Sequence, residues 1–237
     1  MSILDPAWTL TAWERGVREG TLDRAVTLLA SATGLSRDQA ESADVGSRDA
    51  VLVDVLSRHT GGVVQASVRC AGCGERLDVP LDLTAFPRTP WREPGALLEV
   101  EVSGTGVRFR LPSTGDLRLL GGRDAVAGRR LLLARCVQAE AGSGEDLDEE
   151  TAAAVEAAME EAAPGGAVTV HTGCPDCGAE TAAALDIPAL LWVEVQTQAV
   201  ALLRQVHVLA TAYGWTEPEV LALSPARRAA YLELVSA

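Results

Sequence analysis

The chain has 237 residues, 48% of them hydrophobic. That is enough to bury a substantial core as one or two domains, and too apolar for a disordered protein. The net charge is −13 and aromatic residues make up 4%. A phosphate backbone calls for a basic face and base stacking calls for rings, so this balance argues against nucleic acid as the main partner. The N-terminus Met1–Asp5 carries no basic or apolar signal segment. No apolar run reaches the roughly 18 residues a membrane span needs. The expected compartment is therefore a reducing cytoplasm, with no membrane partner.

The expected fold class is α+β: a small zinc-ribbon-like β core with N-terminal, inserted and C-terminal helices. Residues 1–60 read as helical. A short helix over Leu10–Gly16 carries Trp13, with Trp8 just ahead of it as a second anchor. A second helix has Thr21 as N-cap and Gly34 as stop, with Leu22, Val26, Leu29 and Ala30 on one face. A third is capped by Ser47 and ends at Gly61-Gly62, with a stripe of Val51, Leu52, Val55 and Leu56.

Residues 61–111 read as β. Val63–Arg69 and Arg76–Leu83 flank a first cysteine turn. After Pro87, Pro90 and Pro94, a hairpin is expected from Leu97–Val102, the turn Ser103–Gly106, and Val107–Leu111. Residues 112–164 read as a helical insertion: a short helix from Pro112, another over Ala125–Val137, a flexible acidic loop from Gly142, and an acidic, Ala-rich helix over Asp148–Ala162. Cys136 stands alone there and reads as a small core residue. The carboxylates Glu149, Glu150, Glu156, Glu160 and Glu161 read as a solvated helix face rather than an acid–base site. Residues 165–187 hold a second cysteine turn between strands. Residues 188–237 read as helical: a long helix from Pro188 to about Tyr213 with the seam Leu191, Val195, Ala199, Leu202, Val206 and Leu209, a short one over Glu217–Leu223, and a last one opened by Ser224-Pro225.

The two cysteine turns are copies of one unit. Gly61-Gly62, Cys70, Cys73 and Gly74 recur 104 residues on as Gly165-Gly166, Cys174, Cys177 and Gly178. The match continues without a gap, Leu81-Asp82-Leu83 against Leu185-Asp186-Ile187. Four of the five cysteines lie in these turns. In a Cys-x-x-Cys-Gly turn both sulfurs and several backbone N–H groups point one way, and the Gly takes a positive φ. One turn supplies two ligands and a structural zinc wants four in a tetrahedron, so Cys70, Cys73, Cys174 and Cys177 are the expected zinc ligands. Closing the long loop between the turns costs on the order of 4 kcal/mol, against roughly 10–16 kcal/mol from zinc on four thiolates. Three alternatives stay open: a redox pair, which would sit at a helix start; two disulfides, which need an oxidising compartment; and tight turns without metal.

Catalytic patterns are missing. There is no phosphate-cradling loop, no Gly-x-Ser-x-Gly and no His-Glu-x-x-His. His59 ends a helix, His207 rides the long helix, and neither suggests a nucleophile–base pair; His171, three residues before Cys174, is positioned to replace a ligand but reads as an exposed strand residue. The expectation is a protein that is not an enzyme and has no small-molecule substrate.

The C-terminal run from Leu191-Trp192 through Leu202-Leu203-Arg204, Val206-His207, Tyr213-Gly214-Trp215 and Arg227-Arg228 to Tyr231-Leu232 resembles the T-even-type phage baseplate protein family. That family occurs in contractile phage tails and related contractile injection systems. The first Cys-x-x-Cys-Gly-Glu, Phe109–Pro112 with Asp116-Leu117, and the second Cys-Pro-x-Cys-Gly before a Leu-Trp helix are similar to its longer members. The resemblance implies a non-enzymatic structural or assembly role, other baseplate or tail proteins as partners, and a place in a phage-tail-like particle. There are two departures: Ala71 stands where the second unit has Pro175, and the helix after Ser47 lacks some of the basic residues the resemblance implies. An acidic zinc-ribbon regulator contacting nucleic acid or the transcription machinery, and a thiol-redox enzyme, are the competing functions.

Overall fold

The computed structural model describes residues 5–138 and 147–236. The expected acidic loop over residues 142–146 lies outside them. Helix α1 (Pro6–Gly16) starts earlier than expected, because the Asp5 carboxylate accepts from the Ala7 N–H and Pro6 fits the first turn. Helix α2 (Thr21–Thr33) is not capped by Thr21. Gly20 holds the cap position, with no side-chain bond, and Thr21 is the first helical residue. Gly34 ends it at φ 78°. A six-residue helix α3 (Arg37–Ser42), absent from the sequence reading, forms behind a Ser36–Gln39 capping box. Helix α4 (Val45–Thr60) is capped by Asp44, whose carboxylate accepts from the Ser47 N–H at 2.8 Å. Ser47 is thus inside the helix, not its cap, and its hydroxyl donates to the Pro90 carbonyl.

Strands β1 (Val63–Arg69) and β2 (Arg76–Asp82) form the first hairpin, and a 3-10 turn at Leu83–Ala85 follows. Strands β3 (Leu97–Val102) and β4 (Thr105–Arg110) form a second, around Ser103 and Gly104, both at positive φ. Next come α5 (Thr114–Arg118), α6 (Ala125–Cys136), the two-residue strand β5 (Val137–Gln138) and α7 (Glu149–Ala162). The segment expected to be helical therefore contains a strand, which extends the β3–β4 sheet. Strands β6 (Thr169–Gly173) and β7 (Glu180–Ala184) form the third hairpin. Helices α8 (Ile187–Tyr213), α9 (Glu217–Ala222) and α10 (Pro225–Ser236) complete the chain.

The 27-residue α8 is the spine. Its first half packs Ile187, Leu191, Trp192 and Val195 into a core with Trp8, Leu28, Leu52, Leu56, Val64, Leu81 and Leu83. Each such buried side chain is worth roughly 1.5–3 kcal/mol, so this core ties the N-terminal helices, the first hairpin and α8 together. Gly16 leaves room for the Trp192 ring, whose face carries the Arg24 guanidinium at 4.6 Å. Farther along α8, Leu10 packs with Ala199 and Leu202. At its end Tyr213, Trp215 and Tyr231 pack ring to ring. Arg228 of α10 is buried and donates to Gln205 and to the carbonyls of Leu221 and Leu223.

A separate core joins the β3–β4–β5 sheet to α6 and α7 through Phe109, Leu111, Leu133, Val137 and Val155. Beside it Asp116 is buried yet ionised. Burial opposes its charge, but the Arg110 fork, the Ser113 N–H and Arg135 hold its carboxyl well below the usual carboxylate range. Of the acidic face of α7, Glu149 and Glu156 pair with Arg129 and Glu150 accepts from Ser103. Cys136 is buried, and burial pushes its thiol up to about 11.

Candidate metal centre

The repeat seen in sequence is a repeat in three dimensions. Ser67 pairs with Asp78 and His171 with Ala182, the same register at the 104-residue offset. In each turn the N–H of the first Cys donates across the hairpin, Cys70 to Glu75 and Cys174 to Ala179. In each the glycine N–H returns to the first Cys carbonyl at 3.0 Å, Gly74 to Cys70 and Gly178 to Cys174. Both glycines sit at positive φ, 77° and 73°, a conformation that disfavours any Cβ. The equivalence reaches the ends of the units: Asp82 caps the 3-10 turn and Asp186 caps α8, while Leu83 and Ile187 enter the same core.

The two turns meet knuckle to knuckle. Cys70 Sγ lies 3.5 Å from Cys177 Sγ, Cys73 Sγ lies 3.7 Å from Cys174 Sγ, and all four sulfurs fall within 4.8 Å of one another. Sulfurs on a tetrahedral ion with bonds of about 2.3 Å lie about 3.8 Å apart, so the spacing is that of a four-thiolate site. Among the described residues these four cysteines are the group able to hold a metal ion. All five cysteines are free thiols. Cys70 and Cys174 face inward against Leu77, and Cys73 and Cys177 face solvent. His171 is exposed on β6 and is not among the clustered groups.

Backbone donors aim at the sulfurs. N–H groups of Cys73 and Gly72 lower the Cys70 thiol to about 6. Cys73 moves the other way, to about 12: the Glu75 N–H pulls it down, but the sulfurs of Cys177 and Cys70 outweigh that pull. Cys177 is also raised, its Ala179 N–H opposed by the Cys70 sulfur. One thiolate forms readily here, and further ones need a cation to share their charge.

Two contributors went unread in the sequence. Thr181 is buried in β7 and accepts from the Ala71 N–H at 3.0 Å, bonding the second hairpin to the first knuckle. Gly72 lets the knuckles approach: a Cβ there would lie 2.8 Å from the Ala179 Cβ and 3.2 Å from Cys177 Sγ. Its repeat counterpart is Asp176, and that unequal pair was the available signal. Interlocking turns need a small residue on one side.

No protein-family model, curated protein or solved structure matches the chain. Among the described residues no helix is long and apolar enough to cross a membrane.

Proposed function

We propose that the chain is a zinc-clamped, non-catalytic scaffold that assembles with other proteins of a contractile tail or injection-system baseplate. The observation that carries the clamp is the meeting of four sulfurs from turns about a hundred residues apart in sequence. Zinc suits a tetrahedral all-thiolate set, and such sites are structural because no coordination position is left open. Cys70, Cys73, Cys174 and Cys177 would hold the ion, and the ion would supply rigidity between the two hairpins. The scaffold role is supported by the spine. A single long helix leaves the clamp region and carries the C-terminal segment whose residues resemble the baseplate family. Asp116, held by Arg110 and Arg135, bonds its own neighbouring elements through these ion pairs.

Two measurements test the reading separately. Elemental analysis of reduced, carefully desalted protein is expected to find one zinc per chain, and finding no metal removes the clamp. Affinity capture from cells expressing the whole surrounding gene cluster is expected to recover tail or baseplate proteins. Recovery of none of them removes the assembly role and leaves the clamp standing.

A further inference from the structure

The outer edge of β1 is bare. The Cys70 N–H bond to Glu75 and the Leu83 N–H bond to Gly62 fix which residues face β2. Even-numbered β1 residues exchange hydrogen bonds with β2, and Val63, Gln65 and Ser67 turn their N–H and C=O groups outward. Among the described residues nothing in the protein bonds those outward groups of Gln65 and Ser67. The β2 edge is different. Pro80 lies opposite Gln65, so its missing N–H falls on the outer side and blunts that edge. Strand β1 carries no such guard.

A groove of about 430 Å³ runs along this bare edge, with the end of β7 and the first turns of α8 as its far wall. Val193 on that wall and Val63 at the head of β1 are 58% and 53% exposed, among the most exposed large apolar residues described. The groove is largely apolar along its length and carries opposite charges at its two ends. Arg76 stands at the knuckle end, opposite Arg69, with an exposed ion pair to Asp78 at 3.2 Å that leaves most of its guanidinium in solvent. Asp186 stands at the other end, just beyond β7, and Glu194 joins it beside His59, in the last turn of α4 just before β1 begins.

We propose that this edge is the dimer interface, β1 pairing antiparallel with β1 of a second copy. A two-fold axis at Ala66 sets Gln65 against Ser67 of the other copy, so outward donors and acceptors meet in register. The same axis lays the basic end of each groove on the acidic end of the other and brings the two Val193 side chains toward each other. A groove with opposite charges at its two ends is complementary to its own antiparallel copy, as an isologous interface requires. Two copies of a chain at −13 repel each other overall, so association needs such a locally complementary surface. This inference stands apart from the metal's identity and from any tail partner.

The test is the mass of the full-length, metal-loaded protein by light scattering after gel filtration, at low-micromolar and tens-of-micromolar concentration. Twice the chain mass is expected. Ser67→Pro removes one outward N–H and no intrachain strand bond, and should raise the dimer dissociation constant at least tenfold. Arg76→Glu should do the same from the solvent face, and Arg76→Glu with Glu194→Arg should restore dimers. If Ser67→Pro fails to fold, the charge pair decides alone, with unchanged metal content and circular dichroism as its controls. A monomer at every concentration overturns the proposal and leaves the edge to a strand from another protein. A dimer indifferent to all of these changes overturns it too.

Discussion

The two cysteine hairpins share a sequence unit, a register and a turn geometry, yet they stand on different footings. The first has seven-residue strands and buries Val64, Ala66, Leu77 and Leu81. The second has five-residue strands, and of its strand residues only Thr181 is buried. Its inner face is Val170, Thr172, Thr181 and Ala183, while Ala182 and Ala184 are exposed, so it offers little apolar area. The β1–β2 hairpin is therefore held by a core and a clamp, the β6–β7 hairpin mainly by the clamp. A local unit fixes its own shape, and what surrounds it decides how much it needs a ligand.

Breaking the clamp is the largest test of that difference. Four thiolates on zinc are worth roughly 10–16 kcal/mol, comparable to the whole stability of a domain at about 5–15 kcal/mol. Cys174→Ser, or removal of metal by a chelator, should abolish stoichiometric metal binding. Hydrogen exchange should then speed across residues 169–184 while residues 63–82 keep their protection. Equal loss in both hairpins would end the comparison.

A second change, remote from the clamp, shows what an ordinary structural loss looks like. Asp116→Asn leaves Arg110 and Arg135 without their buried carboxylate, a loss of about 3 kcal/mol. Metal content should not change. The folded carboxyl is held below its unfolded value near 4, so its contribution is complete above that pH and disappears as pH falls below it. Urea midpoints between neutral and acid pH should therefore drop more steeply in the parent protein than in Asp116→Asn.

The third test uses equivalent positions of the repeat. Leu81 is buried and its counterpart Leu185 is half-buried at the rim of the same core. Leu81→Ala should cost about 2–5 kcal/mol, and Leu185→Ala roughly 1–2 kcal/mol. Chemical denaturation of metal-loaded protein checks both. Equal costs would mean that the second hairpin carries more of its own core than its one buried strand residue, Thr181, suggests.

What was legible in the sequence was whatever repeats or has a period. The gapless match of Leu81–Leu83 to Leu185–Ile187 announced two equivalent units, and the three- and four-residue seam of α8 announced a buried helix. Elements below the length of a period were not legible. Strand β5 is two residues and exists because Phe109 and Arg108 of β4 offer an edge to Val137 and Gln138. Helix α3 is under two turns, although its Ser36–Gln39 box could have signalled it. Caps were misassigned where two polar residues stood close together, as with Asp44 and Ser47, because only geometry tells which oxygen reaches the free N–H groups. Buried polar pairs were equally silent: Arg48 joins Asp49 and Thr114, 66 residues away, inside the protein.

The finest test lies in the knuckles, where the units are nearly identical. Gly74 and Gly178 both have left-handed φ and open space where a Cβ would go. Alanine at either adds backbone strain alone, about 1–2 kcal/mol, or roughly a tenfold weaker metal dissociation constant. The two should match, because the strain is local and the turns are the same. Gly72→Ala should weaken binding more than either, because its Cβ meets Ala179 and Cys177 of the opposite knuckle rather than solvent. Metal competition titrations measure all three. Equal effects for all three would mean that the knuckles do not interlock. A Gly72→Ala effect confined to metal affinity, with the Leu81 core unmoved, would place the asymmetry of the two hairpins at the clamp as well as in the core.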